Sequence, residues 1–158
     1  MLLELKSANA PTTLAAIEAF ENERNVALPS PYKDFLLATN GGVPEASVFP
    51  IRGMELNPDG EVQVFFGIHA THPSSDLAKV HDFYAGRIPA NIVHIACNSM
   101  SDHVCLDLRD GGEEVVFWDK RHFWGTGEWR EGDLYHVADS FEEFLASLRP
   151  DDLLDAPE

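Results

Sequence analysis

Basic residues are scarce in this sequence: eleven lysines and arginines stand against 27 aspartates and glutamates, so the formal net charge is −16. A chain of this charge repels phosphate backbones and anionic membrane surfaces, which argues against nucleic-acid and membrane partners. A cationic protein would instead be attracted and steered into contact. Acidity that only maintains solubility accounts for the composition equally well.

Cysteine is also scarce, with only Cys97 and Cys105. The surrounding residues predict a β-hairpin with arms 92–97 and 104–108, and matching the apolar faces of the arms places Cys97 opposite Val104. Pairing the two cysteines directly would slip the register by one residue and set an acidic side chain among apolar ones. We therefore expect two reduced thiols and a cytoplasmic protein.

The sequence contains no apolar run long enough to span a membrane, and its first residues do not resemble a secretory signal. The serine-nucleophile, phosphate-loop and zinc-protease motifs are also absent. His69 and His72 form the one close histidine pair, but no third ligand is marked by spacing. The sequence thus predicts no enzyme, cofactor or metal, and leaves an enzyme or metal-binding protein with an unrecognised site as an alternative.

Residues 28–42 carry the signals of a complete short helix. Ser30 is a candidate N-cap, and Pro31 would occupy the first helical position, where its missing N–H costs nothing. Apolar residues follow at helical spacing, and Asn40-Gly41-Gly42 tolerate the positive φ that ends many helices.

The rest of the chain predicts helices alternating with short strands. Ser140 and Glu143 form a capping box before a last helix that Pro150 ends. Hairpins dominate the connections, which predicts one α+β domain over residues 1–150, with a largely antiparallel sheet and flanking helices, before an acidic tail (151–158) expected to fray. The other expected helices cover residues 13–24 and 73–84, and the strands residues 48–51, 62–68, 92–97, 104–108, 115–118 and 134–137.

The ordered set of motifs resembles the SUKH family. The matching pieces are a leading helix, Leu28–Gly42, Phe49-Pro50-Ile51, Ile88-Pro89, Cys105–Leu108, Val116–Asp119 and Ala138–Leu145. One departure is the predicted hairpin loop, residues 98–103, which lacks the glycines that such proteins often carry there. We therefore expect this loop to differ in conformation from its counterparts.

The segment 120–130 combines two tryptophans, a phenylalanine and three basic residues with two glycines, and shows no regular period. Its tryptophans could cover one end of the sheet. Alternatively, the segment could be a loop presented for binding, because tryptophan and arginine are enriched at binding hot spots. With nearby acidic residues it supplies the candidate partner-binding set: Asp102, Glu113, Glu114, Asp119, Trp124, Trp129 and Arg130.

The resemblance implies binding rather than catalysis, since the family includes bacterial toxin-immunity proteins and fungal cell-wall-assembly regulators. An immunity-type protein would neutralise a cognate toxin by occluding its active site or a surface it needs. The charge favours a cationic target such as a nuclease. A regulatory interaction module unrelated to toxins is the alternative, and the sequence fixes neither the binding face nor the oligomeric state.

Overall fold

A computed structural model describes residues 5–7, 9–54 and 58–151 of the chain. Within these ranges short strands alternate with helices. The α-helices are α1 (Leu14–Arg24), α2 (Ser30–Thr39), α3 (Leu77–Tyr84), α4 (Arg121–Thr126) and α5 (Phe141–Ser147). The strands are β1 (Leu5–Ser7), β2 (Val43–Pro44), β3 (Val48–Pro50), β4 (Asp59–Glu61), β5 (Val64–Phe65), β6 (Ile92–Cys97), β7 (His103–Asp107), β8 (Glu114–Trp118) and β9 (Leu134–Ala138).

The central sheet is antiparallel, with its five strands in the order β5-β6-β7-β8-β9, and β1-β2 and β3-β4 form two small antiparallel pairs. On one face, phenylalanine rings from α2 and α5 meet Phe65 of β5, with centroid distances of 4.9 Å to Phe35 and 6.3 Å to Phe144. On the other face, Tyr84 of α3 lies 5.3 Å from Trp118 of β8. The expected α+β fold with helices flanking an antiparallel sheet is confirmed.

The strand predicted over residues 62–68 is shorter than expected. Only Val64 and Phe65 form β5, because the backbone before them bonds to a different part of the fold. The N–H of Val62 donates to Ser47, beside the small β3-β4 pair, whereas that of Phe66 donates to Ile95 of the central sheet. This apolar run therefore crosses between two sheets.

The predicted hairpin register is wrong along both arms. Cys97 pairs with His103 rather than with Val104, a shift of one residue, and at the far end Val93 pairs with Leu106 rather than with Leu108, a shift of two. A bulge between His94 and Ala96 inserts one residue into β6, which strict alternation of apolar faces cannot anticipate. Both cysteines are nevertheless free thiols, as predicted.

The hairpin loop turns without glycine because the backbone of Ser101 and the side chain of Asn98 together form the turn. Ser101 adopts a left-handed φ of 68°. The side-chain oxygen of Asn98 accepts the N–H groups of Met100 (2.9 Å) and Asp102 (2.8 Å). These bonds satisfy backbone donors inside the turn and hold Asp102 at the start of β7.

One of the two predicted serine caps is confirmed. The Ser140 hydroxyl accepts the N–H of Glu143 at 3.1 Å. Ser30, by contrast, is the first residue of α2, whose N-cap is Pro29, and it makes no capping bond. Pro29 already holds the extended conformation that the residue before a helix needs, so the helix begins one position earlier than predicted.

These two serines allow a matched test of the helix ends. Ser140→Ala is expected to lower the free energy of unfolding by about 1 kcal/mol, because the amide of Glu143 loses its acceptor. Ser30→Ala is the control and is expected to change it by less than about 0.5 kcal/mol. Urea denaturation of both variants measures the difference, and equal losses would contradict these cap assignments.

The segment 120–130 is more regular than predicted. Residues Arg121–Thr126 form α4, which ends where Gly127 adopts a left-handed φ of 76°. The helix is too short and too mixed in sequence to show a periodic apolar face. Most of the predicted acidic tail, residues 152–158, lies outside the described part of the chain.

Candidate functional site

A groove of about 770 Å³ opens where α3 and α4 face one end of the central sheet. Its walls are largely apolar, with Val64, Val80 and the exposed rings of Phe83 and Trp124. Its floor carries Lys120.

Lys120 is placed by the turn between β8 and α4. Its N–H donates to a carboxylate oxygen of Asp102 at 2.9 Å, across the sheet end. The side chain of Asp119 accepts the N–H of Arg121 at 3.1 Å, which starts α4. The resulting backbone conformation at Lys120, φ −89° and ψ 3°, lies between helix and strand and turns the chain at this corner.

The ammonium group of Lys120 is enclosed by aromatic rings. The residue is only 1% exposed. Its Nζ lies 4.9 Å from the ring centre of Tyr84, 5.6 Å from that of Trp118 and 4.6 Å from that of Trp124. The faces of these rings are electron-rich, so they stabilise a cation that has left water.

A chain of hydrogen bonds leads from Lys120 into the sheet. Nζ lies 3.3 Å from Nε2 of His103, and Nδ1 of His103 lies 2.8 Å from Nδ1 of His94. The Cys105 sulfur lies 3.5 Å from the same His94 nitrogen. Because an ammonium can only donate, His103 accepts at Nε2 and donates its Nδ1 proton to His94. The proton of His94 then resides on Nε2, a buried atom without a partner among the described residues.

Burial determines which groups of this hydrogen-bonded series are charged. It lowers the pKa of Lys120 to about 8, so the lysine is mostly charged at pH 7. Burial and the nearby Lys120 charge lower the pKa of His94 to about 3 and hold that of His103 well below its usual value. Both imidazoles are therefore neutral at pH 7. The Cys105 thiol is also neutral, because burial raises its pKa.

A second, smaller cavity of about 280 Å³ lies on the far side of His94, between the end of α1, α3 and the start of β6. His81 also lines it, and Nδ1 of His81 is another buried nitrogen with no partner in the described structure. The histidine chain thus separates the groove from this cavity.

Two of the predicted partner-binding residues support the groove from inside. Asp102 and Asp119 lie at the same end of the sheet, because His103 pairs with Trp118. Asp102 bonds the backbone of Lys120, and Asp119 forms a 2.7 Å ion pair with Arg121. Their carboxylates are therefore used within the fold.

Glu113 and Glu114 lie at the opposite end of β8, because Glu114 pairs with Asp107. Glu114 lies four positions from Trp118, at the groove end of β8, which is roughly 13 Å along the strand. Glu114 bonds the imidazole of His136, while Glu113 is exposed. The predicted residues therefore lie at two ends of the sheet, and their part in partner binding stays a prediction.

The two tryptophans of the segment 120–130 have different environments. One covers the end of the sheet, and the other is exposed as in a segment presented for binding. Trp129 is half-buried and packs 5.4 Å from Trp118, covering the end of the sheet. Trp124 is 56% exposed and faces the groove. Arg130 pairs with Asp133 at 2.8 Å, beside the sheet end.

Sequence reasoning missed Lys120 and Phe83. Lys120 opens a run of basic residues, a pattern typical of solvated surface, and only the Asp102 bond and the three rings reveal its burial. Phe83 offered a usable signal: it is an aromatic residue off the apolar face of α3, which Val80 and Tyr84 occupy. A large aromatic on the outer face of a helix indicates a contact surface.

The two histidines of the close pair have different surroundings. His69 and His72 are both exposed, and only His72 lines the groove. In the described ranges no three histidine, cysteine or acidic side chains are grouped closely enough to hold a metal ion. Among those residues there is likewise no helix with the length and apolarity to cross a bilayer.

The fold and groove define an α+β domain with an aromatic-walled surface site. The model of the SMI1 / KNR4 family (SUKH-1) matches residues 11–147, and the chain belongs to this family. It is also similar to the SPbeta prophage-derived uncharacterized protein YokK of Bacillus subtilis (strain 168). The two are 31% identical, over an alignment that covers 81% of this chain and 71% of the relative.

Proposed function

We propose that this chain is an immunity-type protein that neutralises a cognate bacterial toxin by direct binding. Membership of the SUKH family carries the proposal, because proteins of this family are often toxin-immunity proteins. The prophage origin of the similar Bacillus protein is in keeping with such a role. The chemistry required is occlusion of the toxin, which needs a binding surface and no catalytic group.

The groove is the surface best suited to this binding. Phe83 and Trp124 are large apolar side chains, 54% and 56% exposed, on its two helical walls. Met100, 79% exposed, adjoins it through its neighbour Ser101. Exposed aromatics beside a concave apolar surface are typical of interface hot spots.

The charge of the chain supports a cationic partner. A net charge of −16 attracts a positively charged protein over several ångströms and accelerates encounter. Nucleases that bind anionic nucleic acid commonly carry such positive surfaces, so a nuclease toxin is the target we favour. Exposed carboxylates such as Glu113 would contribute to this steering without contacting the toxin in the groove.

The proposal expects a neighbouring gene to encode the cognate toxin, and the toxin domain of that gene product is the reagent that tests it. We expect a stable complex with that domain, loss of the toxin's activity at one equivalent, and survival of cells that express both proteins. If the purified proteins do not bind and the toxin stays active, the immunity function is wrong. A regulatory module would instead associate with proteins unrelated to toxins.

Salt dependence tests the electrostatic part of the proposal. Raising sodium chloride from about 50 mM to about 500 mM is expected to slow association about tenfold or more, because screening removes long-range attraction. Dissociation should change far less, since the apolar contacts in the groove persist. Stopped-flow fluorescence of the tryptophans measures both rates. An association rate independent of salt would contradict steering by the acidic surface.

The enzyme alternative gains no support from the groove. A site built on His69, His72 and an acid would favour it, but His69 lies elsewhere and no aspartate or glutamate occurs among the described residues that line the groove. The buried imidazoles of His94 and His103 serve the hydrogen-bond chain behind Lys120.

A further inference from the structure

We propose that Lys120 anchors the partner by pairing with a carboxylate on an apolar segment that enters the groove. The occupant is a stretch of the partner protein with an aspartate or glutamate among apolar residues. The inference rests on the proposed function, because it specifies what the bound toxin presents to this site.

The ammonium group of Lys120 forms no ion pair with a carboxylate of the described residues, and the charge of Asp102 acts on it only from a greater distance. More exposed bases form such pairs: Arg109 pairs with Asp107 at 2.8 Å, and Arg130 pairs with Asp133 at 2.8 Å. Lys120 is more deeply buried than either, yet no carboxylate of the described residues forms an ion pair with it. A buried charge without such a partner is costly, which points to a partner supplied from outside.

Both carboxylate oxygens of Asp102, the acid that bonds the Lys120 backbone, already accept hydrogen bonds. One of its carboxylate oxygens accepts the Lys120 N–H, and the other accepts the side-chain amide of Asn98 at 3.2 Å. The three donors of the ammonium group find one nitrogen acceptor, Nε2 of His103. The aromatic rings stabilise the charge, but they leave room for a stronger, charge-assisted bond.

The groove lining selects the charge of its occupant. In a chain with 27 acidic residues, no aspartate or glutamate occurs in the described lining, which instead includes Lys79 and Lys120. A basic side chain would be repelled there, whereas a carboxylate would be attracted. The acidic exterior and the basic groove together fit a cationic partner that inserts one acidic residue.

Trp124 controls access to the ammonium group. Of the three rings around Nζ, those of Tyr84 and Trp118 are buried, and only that of Trp124 is exposed. Turning this one side chain aside uncovers Nζ from the groove without disturbing the core. The displaced indole then lies on the wall and is available to pack on the inserted segment.

A pair of small probes tests the anchor without the toxin. The resonance of the Trp124 indole N–H is followed while 4-phenylbutyrate or its neutral amide is added to the full chain. We expect the acid to bind at least about tenfold more tightly than the amide, because only the acid offers a carboxylate. Equal affinities, or no shift with either probe at about 20 mM, would overturn the proposal.

Two lysine variants show which lysine causes the preference for the acid probe over the amide. Lys120→Met is expected to abolish the preference for the acid, while Lys79→Met, a matched change on the more exposed lysine of the same groove, retains most of it. The urea midpoint of Lys120→Met checks that the variant remains folded, because Nε2 of His103 loses its donor when the ammonium group is removed. Loss of the preference in Lys79→Met but not in Lys120→Met would contradict the assignment.

Toxin binding to the wild type and to Lys120→Met distinguishes failure of the lysine anchor from failure of the proposed function. Lys120→Met is expected to weaken toxin binding at least about 100-fold. If the toxin binds this variant as tightly as the wild type, the anchor is wrong and the immunity function stands. If the wild-type chain does not bind the toxin at all, the immunity function fails, and the probes alone decide whether the groove prefers a carboxylate.

Discussion

Replacing Asn40 by alanine is expected to destabilise the protein by about 4 kcal/mol, a large effect for the loss of one polar side chain. Asn40 ends α2 and is 1% exposed. Its amide donates to the carbonyls of Ala10 and Ile68, each at 2.8 Å, and its side-chain oxygen accepts the N–H of Ile68 at 2.8 Å. Alanine would leave these buried groups unsatisfied.

The backbone of Asn40 adds to this cost. Its φ of 52° lies in the left-handed region, which alanine adopts less readily than asparagine. Asn40→Gly is the control, since glycine removes the backbone strain but not the lost hydrogen bonds. Urea denaturation should show Asn40→Gly about 1 kcal/mol more stable than Asn40→Ala, and both well below the wild type. A loss under about 1 kcal/mol for Asn40→Ala would contradict the bonding network.

The double substitution of Phe83 and Trp124 by alanine is expected to weaken toxin binding roughly 1,000-fold, because each ring is a large exposed anchor at the groove. Both side chains are more than half exposed, so stability should change little. Isothermal titration calorimetry with the toxin domain measures the affinity, and thermal unfolding checks the stability of the variant.

A matched pair of exposed hydrophobic residues provides the control for this experiment. Leu14 and Leu37 are 49% and 41% exposed and lie on α1 and α2, outside the groove lining. Replacing both by alanine should leave toxin affinity within about twofold of the wild type. A strong loss in this control, with none in the groove variant, would place the interface on the α1-α2 surface.

Elements whose signals are local could be predicted from the sequence. The Ser140 cap, the left-handed Asn40 and the amphipathic α3 depend on neighbours within one or two turns, and the structure confirms them. The order of these elements and their hairpin connections were sufficient to predict the α+β class. The family then follows from the same ordered motifs.

Features that depend on contacts between distant residues were not predictable. The bulge in β6 shifts the pairing of Ala96 and Cys97, and no residue type in the strand marks it. The environment of Lys120 comes from Tyr84 on α3 and His103 on β7, which precede it by 36 and 17 positions along the chain. A single lysine in a basic stretch of sequence does not indicate that aromatic rings enclose it.

The predicted acidic contact residues illustrate the same limit. Charge and location mark Asp102 and Asp119 as candidate contacts, but their carboxylates bond the backbone and an arginine of the turn that carries Lys120. They position the groove and do not present free charge to it. Composition can indicate an acidic surface, whereas only the structure shows which carboxylates are already engaged.

Mapping the bound toxin onto this chain by NMR tests the central claim, that the groove is the toxin-binding surface, most directly. The labelled protein is titrated with the unlabelled toxin domain, and amide and indole shifts are followed. We expect the largest changes at the Trp124 indole, the amides of α3 around Phe83 and the amide of Lys120. Shifts confined to α1 and α2, or to the Glu113 end of β8, with the groove unchanged, would contradict this claim.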